Sequence, residues 1–180
     1  IIQARPETVH SNKDSKYIEE YSLIEEKDKS NFNRITLLNG VSVGNKITSG
    51  KTRHLISPSQ YKEFIPGEIL VTAMTTPDWE PIMKKSSGII TDKGGRTCHA
   101  AIVARELGVN AIVGTSEASK VLNNQVDVTM SCAQGDTGFV YEGLLEYSVK
   151  KTEFDHAKNI PCKLMINIGS PEYAFQASMY

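Results

Sequence analysis

One histidine in this chain stands in a setting suited to chemistry. His99 comes shortly after the paired glycines Gly94-Gly95 and opens the run Ala100-Ala101-Ile102-Val103-Ala104-Arg105-Glu106-Leu107, which closes on Gly108. Paired glycines permit a tight turn with positive φ. Thr97 is a suitable N-cap, because its hydroxyl can accept from a free amide of the first helical turn. A histidine in that turn faces unpaired amides and the positive end of the helix dipole, which disfavour the imidazolium and favour an anion by roughly 0.3–1 kcal/mol when exposed. The neutral ring is the nucleophile. A phosphoryl group captured by it would meet the same amides, with Gly94, Gly95, Arg96 and Arg105 as candidate supports for the new charge. On spacing alone, a satisfied structural histidine fits a helix start equally well.

Competing motifs fail on geometry. Gly50-Lys51-Thr52 resembles the end of a P-loop, but that pattern needs glycine where Asn45 stands, and Pro58 follows where a helix should run. Cys98 and His99 are adjacent, and helical neighbours do not face each other, so a thiol–histidine dyad is excluded. No G-x-G-x-x-G opens a helix after a strand. His10, His54 and His156 lack metal-ligand spacing, and no metal site is expected.

The elements that must position His99 lie in a compact middle. Short β-like runs recur at Ile35–Leu38, Val41–Val43, His54–Ile56, Ile69–Thr72, Gly88–Thr91, Ala111–Val113, Val126–Met130 and Gly138–Tyr141, separated by turn residues. One helix is predicted over Asp78–Lys85, with acids first and lysines last as the dipole prefers. A second is predicted over Cys98–Leu107, stopping at Gly108. Its alanines allow close approach to a sheet, with Ile102, Val103 and Leu107 supplying apolar contact. Trp79 reads as packing for the first helix, and Lys84, Lys85 and Lys93 as a solvated face, Lys93 being near enough to the glycine turn to attract phosphate. The pattern is α/β with a β-rich core.

A chain of 180 residues, 39% apolar and 23% charged, can bury such a core. Its net charge of −1 gives no reason to expect nucleic acid or membrane partners. Cys98, Cys132 and Cys162 are odd in number and widely spaced, which argues against a disulfide framework and for a reducing, cytoplasmic setting. No apolar run reaches the ~18 residues of a membrane span. The expected organisation is a neighbouring domain's end over 1–10, a charged linker with room for one short helix or strand over 11–35, the compact domain over 36–148, a second linker over 149–162 and the start of another domain over 163–180.

The segment Gly94–Gly114, GGRTCHAAIVARELGVNAIVG, resembles the phosphohistidine signature of the PEP-utilising enzymes. Its Arg-Thr-Cys-His variant resembles the synthase branch, since related pyruvate phosphate dikinases and phosphotransferase-system enzyme I usually carry serine where Cys98 stands. The likeness continues through Gly67–Met83 and Ser131–Tyr141. Gln3-Ala4-Arg5-Pro6-Glu7 resembles the close of the family's ATP-binding domain, and Lys163–Ser178 the entry to its PEP/pyruvate-binding barrel.

The resemblance implies a swivelling β/β/α phosphohistidine domain that carries a phosphoryl group on His99, through Nε2, between two partner domains of the same chain. In the synthase branch the overall reaction converts ATP, pyruvate and water to AMP, phosphoenolpyruvate and phosphate, by way of a pyrophosphohistidine. The alternative is the carrier domain of a dikinase or of an enzyme I-like phosphorelay protein. ATP and Mg²⁺ are implied for domains outside this segment, with none bound within it, so the fragment alone is expected to be inactive. The family also implies a regulatory kinase/phosphorylase acting on Thr97. Asn110 departs from the family, where proline is common, and is expected to loosen a turn.

Overall fold

The computed structural model describes residues 17–24 and 34–153. The expected domain ends over 1–10 and 163–180, together with His10, His156 and Cys162, lie outside the described residues.

Among the described residues, nine strands and three α-helices follow in order: β1 (Tyr17–Leu23), β2 (Thr36–Val43), β3 (Ile47–His54), β4 (Ile69–Thr72), α1 (Glu80–Met83), β5 (Gly88–Thr91), α2 (His99–Leu107), β6 (Asn110–Val113), α3 (Ala118–Val121), β7 (Asp127–Ser131), β8 (Thr137–Glu142) and β9 (Tyr147–Glu153). Seven of the strands close into a barrel in the order β2-β6-β5-β4-β3-β7-β8. Strands β3, β4, β5 and β6 run parallel to their neighbours within that set, and the remaining pairs are antiparallel.

Strand alternation divides the apolar residues between two cores. Ile69, Val71, Ile90 and Ile112 point into the barrel with Leu38, Val128, Met130 and Val140. Their sequence neighbours Leu70, Ile89, Ala111 and Val113 point outward, against Trp79, Ile82 and Met83 and the α2 residues Ala100, Ala101, Val103 and Ala104. Side chains of this class each stabilise the fold by about 1.5–3 kcal/mol when fully buried. Both faces of β4, β5 and β6 are therefore covered, which is why these short runs read as continuously apolar.

Several expectations need correction. Of the predicted run His54–Ile56 only His54 is in a strand, as the last residue of the longer β3; buried Leu55 and Ile56, at 82% exposure, lie beyond it. Gly50-Lys51-Thr52 sits in the middle of that strand, in keeping with the rejection of a phosphate loop there. The helix expected over Asp78–Lys85 is a 3₁₀ turn at Pro77–Trp79 followed by the short α1. Of the three apolar contacts expected from α2, Ile102 points outward and is 47% exposed, so the helix packs through its alanines, Val103 and Leu107. Asn110 does not loosen a turn: it is buried in β6, where its Oδ1 accepts from the Lys46 amide at 3.3 Å and its Nδ2 donates to Thr48 Oγ1 at 3.2 Å.

Parts of both linker regions form strands, the first as the short element allowed for there. Residues 17–23 and 147–153 pair as an antiparallel ribbon, with Glu19 opposite Lys151 and Glu20 opposite Lys150. Lys151 Nζ lies 3.0 Å from Glu19, and the Tyr21 and Tyr147 rings lie 6.0 Å apart. The Tyr21 hydroxyl donates to Glu19 at 2.9 Å. Its pKa is pushed up to about 12, first by burial and then by that carboxylate.

Candidate functional site

Because β4, β5 and β6 are parallel, their carboxyl ends share one rim of the barrel, and the segments that follow them meet there. Thr72 ends β4 and Thr75 follows. Thr91 ends β5, and the chain then runs through Gly94-Gly95 into α2. Val113 ends β6, and Gly114 leads toward α3.

His99 is the first residue of α2 and is half-buried. Gly94 adopts φ +128, the glycine conformation expected of the turn, whereas Gly95 does not. The N-cap is Cys98 and not Thr97: Cys98 is extended, makes no side-chain cap, and its carbonyl accepts from the Ile102 amide at 3.0 Å. Thr97 is exposed within the preceding turn. With no capping hydroxyl in place, the first-turn amides of α2 keep the unmet donors that every helix start carries. At the other end Gly108 closes the helix in the left-handed conformation, at φ 65.

Thr75 supplies the contact that orients the ring. Its Oγ1 lies 2.9 Å from His99 Nδ1, and Thr75 is only 6% exposed. When Nδ1–H donates to this hydroxyl, the lone pair resides on Nε2. Nε2 has no hydrogen-bond partner among the described residues. A histidine that is half-exposed and bonded through one nitrogen differs from a satisfied structural histidine, whose two nitrogens are both engaged.

The two arginines meet, though not as independent supports. Arg105 reaches back along α2 and its Nη1 donates to the Arg96 carbonyl at 2.7 Å, bracing the turn. The Arg96 guanidinium lies 2.6 Å from Asp136, in an exposed pair that water screens strongly. Lys93 is exposed next to the glycines, as expected.

The loop itself is laced down. The Asp92 amide donates to Thr72 O, the Lys93 amide to Ala73 O, and Thr91 Oγ1 to Lys93 O at 2.8 Å. The Asp92 carboxylate accepts the Ser119 amide at 2.8 Å and the Ser119 hydroxyl. Sequence reasoning missed Thr75, Asp136 and Asp92. The segment Met74-Thr75-Thr76-Pro77 holds a signal for the first, since hydroxyl residues between a strand end and a Pro-initiated turn lie at the rim.

Among the described residues no group of three His, Cys, Asp or Glu side chains could hold a metal. No helix there is long and apolar enough to cross a membrane. Cys132 is buried, and burial pushes its thiol up from the ordinary range, which keeps it unreactive.

Residues 64–135 match the family model described as the PEP-utilising enzyme, mobile domain. The chain is 47% identical over 98% of its length to "Phosphoenolpyruvate synthase" of Aquifex aeolicus, and 46% identical over its whole length to the protein of that name from Synechocystis sp.. It spans about a fifth of each of these relatives, 20% and 21% respectively. A solved structure of Enzyme I is 27% identical and covers 44% of this chain and 33% of its own, with a TM-score of 0.38.

Proposed function

We propose that this chain, which carries the mobile domain of the PEP-utilising enzymes in residues 64–135, is the phosphoryl-carrying part of a phosphoenolpyruvate synthase, with His99 as the carrier. The observation that carries the reading is the one-sided engagement of the ring. Thr75 holds Nδ1 while Nε2 is left without a partner at the start of a helix.

The steps assigned to this chain take their order from the reaction of the synthase branch, and the ring geometry supports Nε2 as the attacking atom. Nδ1–H donates to Thr75, so the Nε2 lone pair attacks phosphorus and a P–O bond to the departing AMP breaks. Hydrolysis of the resulting pyrophosphohistidine releases phosphate and leaves one phosphoryl group on Nε2. That group sits beside the free amides of the first turn of α2, which favour its charge. Transfer to the enolate oxygen of pyruvate breaks the N–P bond and returns the electron pair to Nε2. Gly94 and Gly95 allow close approach of the anion, while Arg96 adds positive charge at the rim and Arg105 holds the turn.

Binding of ATP, Mg²⁺ and pyruvate is assigned to partner domains of the whole protein, and the location to the cytoplasm. The two linker regions would let the barrel visit both partners. Thr97 is assigned as the target of a regulatory kinase/phosphorylase.

The test uses the full-length protein and ATP labelled at the β-phosphate. Acid-labile, base-stable label at His99, absent from His99→Ala with the melting temperature retained, is the expected result. Label that persists in His99→Ala would overturn the assignment.

A further inference from the structure

We propose that Gly114 is a positioning residue for His99: having no side chain, it seats the Gly94 carbonyl, and through Gly94 and Cys98 it sets where the imidazole meets Thr75. The inference rests on the carrier reading of His99 and assigns a role to a residue two loops away.

Three contacts form the chain of transmission. Gly114 has φ +73, and a Cβ at that position would lie 2.6 Å from Gly94 O, closer than real Cβ atoms approach. Gly94 in turn has φ +128, and a Cβ there would lie 2.7 Å from Cys98 Sγ. Cys98 is the residue before His99, and its amide donates to Gly95 O at 3.1 Å. The end of β6, the glycine turn and the start of α2 are thus stacked at backbone distance, with no compressible side chain between the first two.

Gly114 has no route of retreat. The Thr115 amide and hydroxyl both donate to Thr91 O at 3.0 Å, and the Ser116 amide donates to Asp92 O at 2.9 Å. These bonds hold the backbone after Gly114 against the end of β5, so a methyl group added at 114 must displace the Gly94 carbonyl. Thr75 belongs to the separate segment after β4. A shift of the turn therefore appears as a change in the contact between His99 Nδ1 and Thr75 Oγ1, which stands at 2.9 Å. Misplacement of a reacting group by about 1 Å is enough to cost up to about a hundredfold in rate.

The experiment compares Gly114→Ala and Gly114→Asn in the full-length protein with ¹⁵N-labelled histidine. Asparagine tolerates the left-handed backbone that alanine resists, yet carries the same Cβ. Both variants are expected to slow phosphorylation of His99 by about tenfold or more. Both should also move its ring resonances away from the Nδ1-protonated pattern of the wild type. Adding Cys98→Ala to Gly114→Ala should restore a large part of both, because Cys98 Sγ occupies the space beside the Gly94 α-carbon and its removal gives the displaced turn room. A Gly114→Asn protein with wild-type rate and wild-type ring resonances would overturn the proposal, since backbone conformation alone would then explain any defect of alanine. If Gly114→Ala does not fold, the Cys98→Ala background provides the comparison, and failure to rescue overturns the proposal too. A wild-type protein that takes no phosphate on His99 would defeat the carrier reading, while the ring resonances of the variants would still decide the role of Gly114.

Discussion

Thr75 Oγ1 and His99 Nδ1 lie 2.9 Å apart although they belong to different segments of the barrel rim, one after β4 and the other after β5. On the carrier reading, this hydroxyl fixes the plane of the ring and leaves Nε2 for chemistry. Thr75→Val keeps the shape and removes the hydroxyl. It should slow phosphorylation of His99 by roughly fivefold, the worth of about 1 kcal/mol for one hydrogen bond. Thr75→Ser should retain most of the rate. Rapid-quench measurement of phosphohistidine formation in the full-length protein checks both, and an unimpaired Thr75→Val protein would remove Thr75 from the site.

Thr97 makes no cap, so its replacement should leave α2 intact. The melting temperature is expected to be unchanged for Thr97→Ser and Thr97→Asp alike. Transfer should persist in the serine variant and fall in the aspartate variant, because an anion then stands in the turn that precedes His99. A phosphate at Thr97, with a charge of about −1.5 to −2, would act more strongly in the same direction. An active Thr97→Asp protein would count against regulation at this position.

Glu68 begins the approach to β4, at the end of the barrel opposite His99, and is 6% exposed. It accepts from Arg53 Nε and Nη2 at 2.9 and 2.8 Å, from the Ile65 amide at 3.0 Å and from Gln125 at 2.6 Å. Burial alone would raise its pKa, but these donors outweigh burial and hold it below the ordinary value of 4.5. A carboxylate depressed in the folded state stabilises the fold above its unfolded value and loses that contribution as pH falls through the folded one. Stability of the wild type should therefore decline as pH drops below 4.5. Glu68→Gln should cost about 3 kcal/mol at neutral pH, as expected for stripping one partner from a buried ion pair, and should flatten that decline. Urea melts at neutral and acid pH measure both effects.

The 180-residue chain alone should neither hydrolyse ATP nor form phosphoenolpyruvate. Purified chain incubated with ATP and pyruvate, assayed for phosphate and for enolpyruvate, gives the check, and turnover would contradict a carrier that depends on partner domains.

The site was legible where local chemistry decides it. The Gly94 turn, the helix start at His99 and the stop at Gly108 each follow from residues within a few positions. Strand β3 was largely hidden because Ile-Thr-Ser-Gly-Lys-Thr-Arg-His offers little apolar signal. Its buried Thr52 instead exchanges hydrogen bonds with Val126, at 3.3 Å to the carbonyl and 3.2 Å from the amide. Barrel closure was hidden for a different reason. It rests on β2 pairing with both β6 and β8, contacts between residues far apart in sequence that no local period records. Thr75 escaped for a related cause: its own segment marks it only as a rim residue, and the histidine it meets comes from another loop. The charged composition around Tyr21 reads as solvated coil until its partner strand is known.

That partner strand changes what the barrel hangs from. With Leu23 opposite Tyr147 and Glu19 opposite Lys151, the incoming and outgoing chain leave the barrel side by side as one strap. Two separate threads could twist independently and let their load spin, whereas a strap bends readily across its width and resists torsion along its length. The cross-strand charges along it, Glu19 with Lys151 and Glu20 with Lys150, stand at least partly in solvent, so ionic strength weakens the share of the closure that they add.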